Sequence, residues 1–130
     1  MATKLWDKGF DPDNYIEEFT VGNDKELDLE IAEQDVTGSM AHITMLSENG
    51  LLAKNEYQIL IQGLKEIKEE ILKGNFKIED DIEDVHSQIE LMLTRRFGES
   101  GKRIHSGRSR NDQVLTDLKL FTKKHLKVIT

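Results

Sequence analysis

Apolar residues recur at helical spacing along most of the chain. The first stripe begins after Asn23 or Asp24, either of which can cap a helix, and Gly50 ends it. The second stripe has nearly ideal helical spacing and ends at Gly74. The apolar positions are Leu27, Ile31, Val36, Met40, Ile43 and Leu46 in the first stripe, and Tyr57, Leu60, Ile61, Leu64, Ile67 and Ile71 in the second. The pattern therefore predicts two amphipathic helices.

A third helix is predicted from about Asp81 to Gly98. Its first turn is acidic, and Arg95 and Arg96 lie in its last turn, as the helix dipole favours. Its apolar positions are Ile82, Val85, Ile89, Leu93 and Phe97. Helical periodicity is then lost between Gly98 and Gly107, which predicts a loop.

A last helix is predicted to open near Asn111. We expect its apolar side chains to face the inside of the chain, namely Val114, Leu115, Leu118 and Phe121. No Gly, Asn or Pro follows Lys127, so the helix looks cut at Thr130 rather than concluded. We therefore expect the chain to be part of a longer protein.

The first twenty residues lack a regular period. They contain Gly9 and Pro12, which predicts an irregular arm with one short helix. Its aromatic residues need a surface to pack on, and they include Trp6, Phe10, Tyr15 and Phe19. The sequence thus predicts an arm over residues 1–22, a helical domain over 23–110 and a further helix over 111–130.

Composition narrows the class of protein. A charged content of 33%, a single proline and an aromatic content of 6% favour helices with solvated faces over a sandwich or barrel. With no cysteine the chain has no disulfide, and it has neither a signal-peptide core nor an apolar run that could span a membrane. We expect a cytoplasmic protein. A net charge of −7 argues against a broad nucleic-acid surface, so any anion site must be local.

The segment from Gly101 to Gln113 holds the candidate chemistry. Its sequence is G-K-R-I-H-S-G-R-S-R-N-D-Q, a glycine-containing basic loop before a helix. The basic residues are Lys102, Arg103, Arg108 and Arg110. Backbone N–H groups at a helix start attract anions, and arginine matches a carboxylate with two parallel hydrogen bonds. The segment therefore predicts an anion site, to which Asn111 adds a neutral donor.

Other interpretations of this loop remain open. Its arginines can be solvated, with Ser109 or Asn111 serving only as a helix cap. A phosphate-binding loop fits poorly, because the glycine spacing is too short and Arg103 stands where a magnesium-binding hydroxyl residue belongs. A nucleic-acid site also fits poorly, because no aromatic residue interleaves the basic ones.

His86 follows an acidic turn and is a second candidate. Neighbouring carboxylates favour a charged imidazole and can orient its ring. On the residues alone we prefer an ordinary helix-surface or capping histidine. No metal is predicted, because His86, His105 and the nearby acids match no ligand spacing.

Four blocks of the chain resemble the argininosuccinate lyases of the fumarase/aspartase superfamily. The most specific is H-S-G-R-S-R-N-D-Q at residues 105–113, where nine consecutive residues match the family's block. Residues 83–86, 35–39 and 5–10 resemble the E-D-[IV]-H, D-[IV]-x-G-S and L-W-x-G-x-F blocks, the last with one extra residue. The resemblance covers nearly the whole chain, in order.

This resemblance implies an all-α fold, the N-terminal helical domain of the L-aspartase-like fold, in which residues 111–130 open a long helix of the central bundle. It also implies an elimination that cleaves argininosuccinate to arginine and fumarate, in arginine biosynthesis and without a cofactor. The parent enzyme would be a cytoplasmic homotetramer that binds this small molecule and neither nucleic acid nor membrane.

By position, the resemblance assigns Arg110 and Asn111 to substrate binding, where they would stabilise charge developing on a succinyl carboxylate. Ser109 and Gln113 are expected as neighbours in the same pocket. His86 is expected to bind substrate or to orient catalytic groups.

The upstream match is less clean. Many relatives carry F-N-x-S where this chain reads F-T-V-G at residues 19–22, so the substrate-contacting serine is missing or displaced. Asp28 is the nearest equivalent of an aspartate that follows it in the family. We include Asp28 among the candidate substrate-binding residues.

The family's general acid/base histidine, in a T-H pair, and its catalytic serine, on an S-S-x-M-P-x-K-x-N loop, are expected downstream of Thr130. This chain therefore contributes no catalytic residue, and we expect it to be inactive alone. The alternative is a non-catalytic helical module, a binding domain or a crystallin-like relative, that kept the anion-binding loop. Sequence beyond Thr130 distinguishes the two.

Overall fold

The computed structural model describes residues 14–130, apart from the side chains of Asn14, Glu17, Thr20 and Val21. Within this range the chain forms five α-helices and one 3-10 helix, and no β-strand. They are α1 (Asn14–Val21), α2 (Asp24–Glu48), α3 (Lys54–Leu72), α4 (Val85–Phe97), the 3-10 helix Gly98–His105 and α5 (Arg110–Ile129). The predicted all-α class is confirmed. The block at residues 5–10, with Trp6 and Phe10, lies outside the described residues.

Helices α2 and α3 form where the two apolar stripes predicted them. Asn23 precedes α2, but its side chain makes no capping hydrogen bond. Gly50 follows α2 with a φ of 72°, a left-handed conformation that glycine adopts without steric cost. The chain then reverses, so that α3 packs against α2.

The hydrophobic core lies between α2, α3, α4 and the 3-10 helix. Its buried residues are Ala32, Val36, Ile43, Leu46, Leu52, Leu60, Leu64, Ile67, Phe76, Val85, Ile89, Leu93 and Ile104. Among the side chains that the structure describes, neither α1 nor α5 adds a buried apolar residue to it. The core therefore comes mainly from the two stripes and from one face of α4, and Leu52, Phe76 and Ile104 add to it from outside α2, α3 and α4.

Helix α4 begins four residues later than the sequence predicted, so the expectation that residues 81–84 form its first turn is wrong. Asp84 has an extended backbone, with a φ of −152° and a ψ of 173°, and its side chain accepts a hydrogen bond of 2.8 Å from Ser87 N. Such a cap sets the start of a helix. The acidic residues therefore precede α4, where they still adjoin the positive end of its dipole.

The segment after α4 is regular where the loss of periodicity predicted a loop. The 3-10 helix Gly98–His105 packs against α4. Gly101 permits this approach, because a Cβ there would lie 2.4 Å from Thr94 N and 2.5 Å from the carbonyl carbon of Leu93. A 3-10 helix has three residues per turn, so a search for the α-helical period does not reveal it.

The aromatic residues of α1 do not lie against the core. Tyr15 is 82% exposed and Phe19 is 91% exposed. Neither side chain lies in the core of the described residues, so the expectation that the aromatic residues of the arm need a surface to pack on stays a prediction.

Helix α5 turns its leucines outward, which reverses the prediction. Leu115 and Leu118 are 58% and 47% exposed. Val114 and Phe121, predicted to be inside with them, are half-buried. The two residues that α5 does bury are polar, Gln113 and Asp117. The side chains that α5 buries fully against the rest of the chain are therefore polar.

Within residues 14–130, no helix is both long enough and apolar enough to cross a membrane. The predicted division at residues 22 and 110 stays a prediction. It coincides closely with the start of α2 and the start of α5.

Candidate functional site

The sequence of the predicted anion loop fixes the helix start that follows it. Ser109 is the N-cap of α5: its Oγ accepts a hydrogen bond from Asp112 N at 3.4 Å, and its N–H donates to Asp112 Oδ2 at 2.8 Å. The Ser109 N–H, followed by its hydroxyl, lowers the pKa of Asp112. This capping box places Arg110 and Asn111 in the first turn of α5, where the helix dipole favours negative charge. Ser109 thus caps α5, and the alternative that it serves only as a cap stays a prediction.

Arg110 reaches from α5 to the start of α4. Its Nη1 donates to Asp84 Oδ2, and its Nη2 donates to Ser87 Oγ at 2.8 Å. Its Nε is buried and has no hydrogen-bond partner among the described residues. Burial opposes ionisation of Asp84, but the Ser87 N–H and the Arg110 charge outweigh it and lower the pKa of Asp84.

A second aspartate, on α2, also contacts the start of α4. Asp28 on α2 accepts a hydrogen bond of 3.0 Å from Val85 N. Burial raises the pKa of Asp28, and the Val85 N–H acts in the opposite direction. Carboxylates from α2 and from the cap therefore bind N–H groups in the first turn of α4.

Hydrogen bonds to α2 and to the end of the 3-10 helix hold the loop that precedes α5. Arg108 donates from Nη2 to Ser39 Oγ at 2.7 Å and from Nε to the Ile104 carbonyl oxygen at 3.1 Å. His42 Nε2 lies 2.6 Å from the Ser106 carbonyl oxygen. The interpretation of Arg108 as a solvated loop residue is therefore wrong, because α2 supplies a buried acceptor for it.

His86 lies in the interior, only 6% exposed, so its interpretation as a surface or capping histidine is wrong. Its Nδ1 donates to Asp35 Oδ1 at 2.7 Å and lies 3.8 Å from Asp117 Oδ2. Burial alone would lower the pKa of His86, but the hydrogen bond and the charge of Asp35 outweigh it and the pKa is raised. A buried cluster of Asp35, His86 and Asp117 thus joins α2, α4 and α5.

The donor atoms of this cluster lie within 4.8 Å of one another, a spacing at which side chains can bind a cation. The hydrogen bond already occupies His86 Nδ1 and one oxygen of Asp35. The contacts within the cluster are thus one hydrogen bond between His86 and Asp35 and the approach of His86 Nδ1 to Asp117 Oδ2 at 3.8 Å.

The predicted substrate-binding residues divide between the surface and the interior. Ser109 and Asn111 are exposed, and Arg110 is half-buried beside the start of α4. Gln113 is buried, and its Oε1 lies 3.1 Å from His105 Nδ1. The assignment of these residues, and of Asp28 and His86, to substrate binding stays a prediction.

The sequence did not reveal the buried polar residues that join the elements around the site. Asp35 and Ser39 lie in the D-V-T-G-S block but received no role, and Asp117 was not considered. One signal for Asp117 was available, because Gln113 and Asp117 are four residues apart and share a face of α5. A polar pair on one face of a helix can mark a buried network as well as a solvated side.

Known proteins provide independent evidence. The sequence model of a family described as lyase matches residues 9–130. The argininosuccinate lyases of Phocaeicola vulgatus and Bacteroides thetaiotaomicron are 60% and 59% identical to the chain over 129 residues, which is 99% of this chain and 29% of each relative. That of Thermotoga neapolitana is 43% identical over 129 residues, 99% of this chain and 32% of the relative.

The chain spans less than a third of the length of these curated relatives. The family match nevertheless covers nearly all of the chain, and the helices agree with it. The resemblance first seen in the sequence blocks is confirmed. The chain therefore belongs to the lyase family, the helical family of fumarase and aspartase, and is similar to the N-terminal part of argininosuccinate lyases.

Proposed function

We propose that the protein carrying this chain is an argininosuccinate lyase, which eliminates arginine from argininosuccinate and leaves fumarate. Identity of up to 60% over 99% of the chain supports this activity. The observation that carries the role of this chain is the capped start of α5, which presents Arg110 and Asn111 together. We assign these two residues to binding a carboxylate of the substrate's succinyl group.

Arg110 is suited to this role because its hydrogen bonds to other side chains do not use all of its N–H donors. A guanidinium has five N–H donors, and Asp84 and Ser87 each accept from one nitrogen. These contacts fix the plane of the group while other N–H bonds stay available for a carboxylate fork. The exposed amide of Asn111 adds a neutral donor beside it.

Elimination begins with removal of a proton next to a carboxylate, and negative charge then accumulates on that carboxylate. Preorganised donors stabilise such charge more in the transition state than in the bound substrate. Arg110 and Asn111 supply these donors, and the dipole of α5 acts in the same direction. Neither Arg110 nor Asn111 is assigned a proton transfer in this proposal. No cofactor enters this proposal.

The enzyme is proposed to be a cytoplasmic homotetramer, in which a helix from another copy covers α5. The support from this chain is the outward face of α5, where Leu115, Leu118 and Leu126 are about half exposed or more. These leucines line a groove together with Thr122. An apolar stripe along a helix of twenty residues matches a bundle position.

The test uses the full-length protein and follows fumarate absorbance after addition of argininosuccinate. We expect the unaltered enzyme to release fumarate, and we expect Arg110→Lys and Asn111→Ala each to lower kcat/KM by about 10²- to 10³-fold. Lys102→Ala is the control, because Lys102 lies in the same basic segment but is exposed and, among the described residues, forms an ion pair only with Glu99.

An unaltered protein that is folded and releases no fumarate would contradict the enzymatic proposal. It would favour a non-catalytic helical module that kept the anion-binding loop. Activity that is lost equally in Lys102→Ala would contradict the assignment of Arg110 and Asn111, because a general basic surface would then explain binding.

A further inference from the structure

The buried cluster of Asp35, His86 and Asp117 lies on the same three helices that position the predicted substrate site. Resting on the proposed function, we infer that Asp35 and Asp117 are positioning residues: a proton shared between their carboxyl groups holds α5, and with it Arg110 and Asn111, in register against α2 and α4. Neither aspartate is among the residues assigned to substrate.

The hydrogen bonds among the described residues leave two carboxylate oxygens of the cluster without a donor. His86 Nδ1 carries a single hydrogen, which points to Asp35 Oδ1 at 2.7 Å, so Asp117 Oδ2 at 3.8 Å does not receive it. One oxygen of Asp35 and one of Asp117, both Oδ2, are buried without a hydrogen-bond partner among the described residues. Two ionised carboxylates cannot bond to each other, because both only accept. A proton on one of them supplies the missing donor.

The charges around Asp117 favour the same arrangement. Asp35 and Asp28 face it from α2, Arg108 from the preceding loop and His86 from α4. Burial, followed by the negative charge of Asp35, raises the pKa of Asp117 to about 9, against the opposing charge of Arg108. Asp117 is therefore neutral near pH 7, while Asp35 forms the ion pair with His86.

The cluster is linked to the predicted site through the geometry of α5. Asp117 lies seven residues after Arg110, two turns along the same helix, so a shift at one is transmitted to the other. Helices α2 and α5 pack closely at this point, because a Cβ built on Gly38 of α2 would lie in contact with Asp117 Oδ1 at 3.6 Å and with Thr116 Cγ2 at 3.5 Å. On the N-terminal side of Arg110, Arg108 ties the preceding loop to Ser39 of α2.

Two matched substitutions in the full-length protein test the inference. Asp117→Asn keeps the size of the neutral acid and replaces its O–H donor with an N–H donor, so we expect kcat/KM at pH 7 to stay within about threefold of the unaltered enzyme. Asp35→Asn removes the negative partner of buried His86, so we expect kcat/KM to fall by tenfold or more, with lower thermal stability. A role limited to packing would make these two isosteric changes equivalent.

The pH dependence of unfolding is a readout without substrate. The folded chain holds a proton on Asp117 that the unfolded chain, with an ordinary pKa of 3.8, releases. The free energy of unfolding contributed by this group therefore falls as pH rises from about 4 to about 9. Asp117→Asn has no such proton. The Tm of Asp117→Asn minus the Tm of the unaltered protein should therefore increase as pH is raised from 6 to 9.

The outcomes are distinct. Loss of activity or folding in Asp117→Asn equal to that in Asp35→Asn, or a Tm difference that stays constant with pH, would overturn the shared proton. It would also be overturned if added Zn²⁺ raised the Tm of the unaltered protein but not that of Asp117→Asn. The Tm comparison still decides the cluster if the unaltered protein releases no fumarate, so the two proposals fail separately.

Discussion

Arg108 and Ser39 are joined by a hydrogen bond of 2.7 Å between residues that lie 69 positions apart in the sequence. The serine is fully buried in α2, and the same guanidinium also bonds to the Ile104 carbonyl oxygen at 3.1 Å. The loop that leads to Arg110 is therefore anchored to the core by a basic side chain. Two basic residues of one motif thus have different roles, one as an anchor and one as a candidate ligand.

We predict that Arg108→Lys lowers the free energy of unfolding by about 2–3 kcal/mol, because an ammonium group cannot serve both acceptors in the fork geometry and leaves one buried. Arg95→Lys is the matched control: Arg95 also makes two hydrogen bonds, to Glu79, but its side chain is 57% exposed. We expect a loss below about 1 kcal/mol there. Urea unfolding measures both, and equal losses would contradict the anchor.

Asp84 combines a cap with an ion pair, and two substitutions separate these contributions. Asparagine caps helices well, so Asp84→Asn should keep the bond to Ser87 N and lose only the charge facing Arg110. Asp84→Ala loses both and should be less stable than Asp84→Asn by about 1 kcal/mol. Thermal unfolding of the two variants measures the difference. Equal stability of the two would show that the cap contributes nothing.

Acid should weaken this same contact. The folded-state pKa of Asp84 lies below its ordinary 3.8, so the unfolded chain takes up the proton first as pH falls. Its contribution to stability is therefore complete above about pH 4 to 5 and is lost as pH falls through the folded-state pKa. We predict that the unaltered protein loses more Tm than Asp84→Asn between pH 5 and pH 2.5. Parallel curves for the two proteins would contradict this.

The sequence predicted the elements whose apolar residues form the core and failed where polar contacts decide the structure. Helices α2 and α3 follow from ordinary amphipathic stripes. The start of α4 was placed too early because Ile82 continues the stripe and is buried, although it lies outside the helix. The outward leucines of α5 could not be predicted, because the polar face is buried by partners distant in sequence, such as Asp35.

The candidate site shows the same limit. The motif at residues 105–113 indicated an anion site and placed Arg110 and Asn111 at a helix start. It could not show that Arg110 contacts Asp84 and Ser87, because that contact depends on how α5 crosses the start of α4. His86 was judged an ordinary surface histidine on its residues alone, and only its buried partners in space reveal another environment.

Two glycines should respond in opposite ways to alanine. At Gly101 an added Cβ would meet the backbone of Leu93 and Thr94 at 2.4–2.5 Å, so the 3-10 helix must move away from α4. We predict a loss of about 1–3 kcal/mol in the free energy of unfolding for Gly101→Ala.

At Gly38, inside α2, the added Cβ makes only ordinary contacts at 3.5 and 3.6 Å. Alanine has the higher helix propensity, so Gly38→Ala should be neutral or gain up to about 1 kcal/mol. Chemical denaturation of both variants measures the contrast. A clear loss at Gly38 would show that α5 approaches α2 more closely than this geometry allows.

The outward face of α5 gives a prediction about assembly. Leu118 is 47% exposed in the middle of the leucine groove, so a charged residue there should leave this chain's own core intact and disfavour contact with a helix of another copy. In the full-length protein we expect Leu118→Lys to shift the mass measured by light scattering from tetramer towards smaller species. Leu72→Lys is the matched control, because Leu72 is 64% exposed at the end of α3. Circular dichroism should show both variants folded, and an unchanged tetramer in Leu118→Lys would mean that this face is not an interface between copies.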